Sequence, residues 1–414
     1  MAPKKPAPLP SEIGQRVRMI RRRRGLSLDV AAGFAGISKP YLSQLETGKR
    51  HFERRGLLEN LADALGCSVS DLTGQPYLPA DRDSADALAT LPAISVALYD
   101  ATLDDVPDLP ARPVRELAAL AAKANEFTAN NLYSMAGHDL GELLIELHIS
   151  SATGDADTRR KALAALVEAC FVASGVARNL GNLDLAVLAA RRAEDAASRT
   201  EDPALRAFAA MTSTSALSRL GARRRAQQVA ADGLDGIEAH ADPSAPDTAS
   251  AQAAGMLHLS SAQMAAKDQR PDEAESHLEM ASELADRTGE QNELWFSFGP
   301  ANVRAWSLSV AVELERGPQA AEDLEQVPGH LEGLDTADRR AALHFDFARA
   351  YAQAEGDRDN AALRHLDTAD RIAPQRIRHD PVARALLETL EGRARRKAWE
   401  LGSLRHRFGM APSN

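Results

Sequence analysis

The sequence predicts an all-α protein in two parts, a bundle of five short helices at the N-terminus followed by an α-solenoid of paired helices. Three observations carry this. Beyond residue 114 apolar residues recur in amphipathic helical runs joined by short turns, with almost no strand-like alternation. Aromatics are only 4% of the chain while alanine recurs throughout, the composition of helices packed closely on small side chains. At 414 residues the chain exceeds the roughly 250 to 300 at which a single core stops growing, so two domains or a linear array is expected.

Charge divides the same way. Residues 1–55 hold thirteen Lys/Arg against four Asp/Glu, a local balance of +9, and the whole chain is at -10, which leaves -19 for the rest. A basic head on an acidic body suggests that one small end meets a polyanion. No apolar run approaches the eighteen or so residues that span a bilayer, and the opening MAPKKPAPLP has no apolar core, so no membrane association and a cytoplasmic location are expected. Two cysteines, Cys67 and Cys170, and eleven scattered histidines show no metal-ligand spacing; neither a disulfide framework, a metal nor a cofactor is indicated.

Residues 1–10 are expected to be a disordered basic, proline-rich tail, and residues 11–76 the bundle. SEIGQRVRMIRRRR places Ile13, Val17 and Ile20 on one face, with Ser11 as N-cap and Gly25 as the stop. Ser27 caps a second helix that Gly36 ends, and Ser38 caps a third, KPYLSQLE, with Pro40 in its first turn and Leu42 and Leu45 facing inward. A fourth helix from about Glu53 to Leu65 and a fifth around Ser68 to Leu72 complete it.

The spacing Ala32, Gly36, Ile37, Leu42, Leu45 supplies what a helix-turn-helix needs: a small residue where two helices touch, a glycine at the turn, and aliphatics that seat the second helix. AGISKPYLSQLETGKR and LADALGCSVSDL resemble the Cro/repressor-type (XRE) helix-turn-helix family, over about 65 residues. One departure is Leu28, where such domains often carry a Gln that touches a phosphate. The third helix is then the recognition helix, offering Lys39, Pro40, Tyr41, Ser43 and Gln44 to base edges of double-stranded DNA. Arg23, Arg24, Ser27, Ser38, Lys49, Arg50, Arg54 and Arg55 are candidates for backbone phosphates. Of the four consecutive arginines, Arg21 to Arg24, one or two are expected to touch DNA and the others to be solvated, because successive helical residues point about 100 degrees apart.

After Pro76, residues 77–113 read as a linker with a first helix, 114–402 as the repeat array and 403–414 as a C-terminal tail. Second helices of successive pairs share an alanine pattern: Ala186, Ala190, Ala193; Ala226, Ala230, Gly233; Ala274, Leu278, Ala281; Ala362, Leu366, Ala369. The pattern, with turns such as LGNLD and EGDRDNA, resembles tetratricopeptide repeats, at looser spacings of about 40 to 48 residues. DPVARALLETLEGRARRKAWELGSL reads as one final basic helix, a cap. WFSFGPANVRAW concentrates four of the eighteen aromatics, so Trp295, Phe298, Asn302, Arg304 and Trp306, with Asn179, are the candidate ligand groove. The alternative is that these rings fill core space that alanines leave.

A helix-turn-helix head on tetratricopeptide-like repeats is similar to the Rgg/PlcR/PrgX group of peptide-sensing bacterial regulators. The resemblance implies a homodimer whose repeats bind a short peptide or a protein and change the geometry of paired heads. No GxxxxGK[ST], HExxH, GxSxG or GxGxxG is present, so an enzyme is not expected. The competing reading is a protein-interaction scaffold whose head only localises it.

Overall fold

The computed structural model describes residues 11–245, 248–293, 295, 297–394 and 399–410. The expected tail at 1–10 lies outside them. Among the described residues the regular structure is helical, and the one extended feature is an isolated bridge between Gln291 and Phe298.

The head comprises α1 (Glu12–Arg23), α2 (Leu28–Phe34), α3 (Lys39–Glu46), α4 (Arg55–Leu65) and α5 (Val69–Thr73). Side-chain oxygens of Ser11, Ser27, Ser38 and Ser68 accept backbone N–H groups at the starts of α1, α2, α3 and α5. Gly36 sits at φ +67 between α2 and α3, a left-handed turn that a Cβ would strain. Val17, Ala31, Leu42, Leu45 and Leu61 are buried at its centre. α4 starts two residues later than the sequence suggests, because the stretch before it is extended and bonded to the body.

The body runs through α6 (Arg82–Asp100), α7 (Val114–Ala129), α8 (Tyr133–Gly137), α9 (Leu140–Thr153), α10 (Ala156–Asn179), α11 (Leu183–Ser198), α12 (Pro203–Leu220), α13 (Arg223–Ile237), α14 (Ala249–Lys267) and α15 (Pro271–Thr288). It continues with α16 (Pro300–Glu313), α17 (Gly317–Glu325), α18 (Ala337–Ala352), α19 (Asp359–Ile372), α20 (Pro374–Arg378), α21 (Pro381–Arg393) and α22 (Trp399–Arg407). Antiparallel pairs α10/α11, α12/α13, α14/α15, α16/α17 and α18/α19 stack in chain order, each touching its neighbours. The alanine pattern falls on the second helices α11, α13, α15 and α19, where Ala186, Ala193, Ala226, Ala274, Ala362 and Ala369 are fully buried. Small side chains there let the paired helices approach.

The first helices, α10, α12, α14, α16 and α18, form the inner wall. The array bends far enough to meet itself: α7 touches α18, and the Tyr133 amide donates to Gln375 Oε1 at 2.9 Å. Three expectations need correction. α6 is no free linker, since Ala87, Leu91 and Ile94 are buried with the body core. The basic final helix is two helices, α21 and α22. Leu404 and Phe408 are fully buried, so the chain through 410 belongs to the body, and 411–414 lie outside the described residues. α10 is apolar and long enough by composition to cross a membrane, but 72% of its most apolar stretch is buried inside the protein.

Candidate nucleic-acid interface and interior cavity

α3 presents its N-terminal turn outward. Lys39 and Pro40 are exposed, Ser43 and Gln44 half-buried, while Leu42 and Leu45 fill the core beneath. Tyr41 is half-buried: the Arg50 guanidinium lies 5.9 Å from its ring centroid, and burial raises its hydroxyl above the usual value. Lys49 stands exposed at the far end.

The four arginines divide. Arg21 is buried, its Nε and Nη2 donating to both Glu46 oxygens at 2.5 and 2.8 Å and its Nη1 to the Leu26 carbonyl at 2.8 Å. This corrects the expectation of solvation: Arg21 bolts the end of α1 to the end of α3. Arg24 donates to the Gly66 carbonyl. Arg22 and Arg23 are exposed at the end of α1.

The candidate phosphate contacts beyond α3 also divide. Arg50 pairs with Glu355 at 2.6 Å on the surface. Arg54 pairs with Glu315 at 2.7 Å, and Arg55 with Asp380 at 2.5 Å, each with a side chain only 12 to 13% exposed. In this arrangement Arg54 and Arg55 do not face a phosphate. The reason is the acidic body, whose carboxylates meet them first.

These pairs belong to a larger joint. α4 has no side-chain cap of its own; the Glu313 carboxylate of α16 accepts the Arg55 and Gly56 amides, each at 3.1 Å, so the body caps the head's helix. Arg349 donates to Glu313, to Asp346 at 2.7 Å and to the Glu53 carbonyl at 2.8 Å. The cations around it, Arg349 foremost, hold the Glu313 carboxyl below its usual value despite complete burial. On the next turn of α4, Glu59 takes Lys267 at 2.7 Å and Arg223 at 2.8 Å. Gly56 permits this approach, for a Cβ there would lie 3.1 Å from the Lys267 backbone.

Behind the joint lies a partly open cavity of about 210 Å³ lined by the inner helices. Of the groove candidates, Asn179, Trp295, Asn302 and Trp306 line it. Asn179 donates to the Tyr133 hydroxyl at 2.8 Å, and the Arg339 guanidinium lies 5.9 Å from the Trp306 ring centroid. Phe298 does not line it: the ring is fully buried in the space a Cβ of Gly255 would need, and it fills core. Arg304 is also absent from the lining. Phe296, part of the same aromatic stretch, lies outside the described residues. Sequence reasoning missed Arg178, Arg219, Arg376 and Asp338, which also face the cavity. A signal existed: on α12 the polar run Thr212, Ser213, Thr214, Ser215 precedes Arg219 on a helix otherwise built for burial.

A family description, helix-turn-helix domain, matches residues 12–73. Over 61 residues the chain is 39% identical to the competence pilus inhibition repressor of Acinetobacter baylyi, and over 58 residues 45% identical to the HTH-type transcriptional regulator DdrOP3 of Deinococcus deserti. The matches cover 15% and 14% of this chain and 54% and 44% of the relatives, so the chain spans about half the length of the curated relatives it matches. Among solved structures, Bacillus thuringiensis PlcR in complex with the peptide PapR7 and DNA aligns over 66% of this chain and 94% of that one, at 12% identity and a TM-score of 0.28. With four helices capped by their own serines and a glycine turn between α2 and α3, the segment from 12 to 73 is a helix-turn-helix domain, carried on an all-α body.

Proposed function

We propose that this protein is a cytoplasmic transcriptional regulator that binds double-stranded DNA as a homodimer, with α3 in the major groove and the body receiving an effector. The observation that carries this is the exposed rim of the head. Lys39 at the start of α3, Lys49 just beyond its end, and Arg22 and Arg23 at the end of α1 are all exposed, and among the described residues none of these four cations pairs with a carboxylate. In this reading Lys39 and Gln44 read base edges, while Arg22, Arg23, Lys49 and the capped starts of α2 and α3 at Ser27 and Ser38 meet phosphates. Tyr41 and Ser43 supply contact at the groove edge.

The tetratricopeptide-like pairs form the receiving part, and the joint at Glu313 is the route by which the body sets the angle of the head. A short peptide or a protein effector entering the interior would place only a terminus or one side chain in a cavity of about 210 Å³. The testing experiment is selection of genomic fragments by the purified full-length protein, followed by footprinting. Two protected half-sites about one helical turn apart support a dimeric reader. Retention of random fragments as strongly as any others would sink the reading and favour the scaffold alternative.

A further inference from the structure

The interior cavity carries more positive charge than its neighbours neutralise. Among the described residues seven cations face it, against two carboxylates, Asp338 and Asp346. Most of the seven are supplied: Arg349 by Glu313, Lys267 by Glu59, Arg55 by Asp380, and Arg339 with Arg376 by Asp338. Two are not. Arg219 stands 3.5 Å from an Asp380 oxygen already held by Arg55 at 2.5 Å. Arg178 donates to the Ser215 hydroxyl and has no carboxylate within ion-pair distance among the described residues. Burial, with the Arg376 charge beside it, pushes the Arg178 guanidinium down to about 10, and burial with Arg55 pushes Arg219 down to about 9. Half-buried cations with too little negative charge beside them favour an anion that completes their pairing.

A second, independent observation points to the same space. Ser174 and Thr214 line the cavity, are each 1% exposed, and their hydroxyls have no hydrogen-bond partner among the described residues. The Trp306 indole N–H is likewise without an acceptor. Ser174 lies one turn before Arg178 on α10, and Ser215 one turn before Arg219 on the adjacent inner helix α12. Guanidinium, hydroxyl and indole groups can all donate, which suits an acceptor-rich ligand group. Phe171, Met211 and Met256 give the remaining wall an apolar character. The space of about 210 Å³ exceeds the roughly 150 Å³ that accommodates benzene and falls below the roughly 300 Å³ at which drug-sized pockets begin.

We propose that the cavity is a binding site for a small organic anion, its carboxylate or phosphate held by Arg178 and Arg219 with the Ser174 and Thr214 hydroxyls, and its apolar part set against Met211 and Trp306. This deepens the regulator reading by giving the effector's chemical class; the binding itself does not depend on that reading. It also reaches the head, because Arg55 is a residue of α4 whose side chain lines the same cavity. An anion beside Arg219 competes with Asp380 for the two arginines and so loosens the joint.

The test uses the full-length protein without DNA, melted with millimolar sodium benzoate or inorganic phosphate against sodium chloride of equal ionic strength, with benzamide as the uncharged counterpart of benzoate. The expected result is a rise of about 2 °C or more with at least one of the two anions, none with benzamide, and no anion-specific rise in Arg178→Gln. Arg178→Gln should itself fold and melt no lower than the parent, since it removes an uncompensated cation; Ser174→Ala, a smaller change, should weaken the response without abolishing it. No anion-specific rise in the parent, or an equal rise in Arg178→Gln, overturns the proposal. Fragment selection in anion-free buffer reads the regulator function separately, so either can fail alone.

Discussion

The outer and inner faces of the head are built from the same residue types and do opposite things. On the outer rim Arg22, Arg23, Lys39 and Lys49 project into solvent. On the inner face Arg54 and Arg55 are spent on Glu315 and Asp380, and Glu59 on Lys267 and Arg223. Even adjacent residues differ, Arg21 locked to Glu46 and Arg22 free of any such pair. The difference teaches that an arginine's task is decided by which carboxylate the tertiary fold brings to it. Unpaired and exposed, it is available to a polyanion; paired and buried, it is a structural bolt whose loss strands the partner's charge.

The largest effects are therefore expected on the inner face. Glu313→Ala removes the cap of α4 and leaves Arg349 with the Asp346 carboxylate and the Glu53 carbonyl, and should lower stability by about 3 to 5 kcal/mol in a urea titration. It should also expose the stretch before α4 to limited proteolysis, releasing the head. A loss under about 1 kcal/mol would mean that the joint does not depend on this carboxylate. Arg21→Met comes next: stranding Glu46 should cost about 3 kcal/mol, and Arg21→Met with Glu46→Leu should recover most of it. If the double variant is as unstable as the single one, packing rather than the pair holds α1 to α3.

Much of this was legible in the sequence, for physical reasons. Ser11, Ser27 and Ser38 act as caps because their hydroxyls serve local amides, a purely local property. The alanine sets of α11, α13, α15 and α19 show because helix pairs repeat the same close contact. What the sequence hid was long-range pairing. Nothing near Arg55 announces Asp380, 325 residues away, and nothing near Gly56 announces Glu313. Phe298 and Trp306 lie eight residues apart in one aromatic stretch, yet one is core and the other cavity wall, because only the packing of α14 against α16 separates them. Arg178 and Arg219 give no local signal of their own, since each stands near the end of its helix, where an arginine usually reads as solvated.

A smaller effect is expected where α1 meets α21. The Glu12 amide donates to Glu388 at 3.3 Å, and burial, with the Glu12 charge nearby, raises the Glu388 carboxyl from 4.5 to about 7. The folded protein then keeps a proton that the unfolded chain has released between those values, so this group's contribution is complete below about 4.5 and is lost as pH rises through 7. Glu388→Gln should flatten that part of the profile, by about 1 to 2 kcal/mol after allowance for partial exposure. Parallel thermal profiles of parent and variant from pH 4.5 to 7 would contradict it.

The smallest effect on stability, none within error, is expected on the outer rim, and there the comparison is sharpest. Arg22→Ala with Arg23→Ala should leave the melting curve unchanged, because neither side chain is buried or bonded to a carboxylate. Its effect belongs to DNA binding: each phosphate contact contributes about 0.9 to the slope of log affinity against log salt, so the double change should flatten it by about 1 to 2 on every sequence. Gln44→Ala should do the reverse, relaxing choice at particular base pairs while keeping the slope, since a neutral amide releases no counterion. An unchanged slope in the arginine variant would place these residues among solvated surface cations and move the phosphate contacts to Lys49 and the capped helix starts, leaving the inner joint untouched.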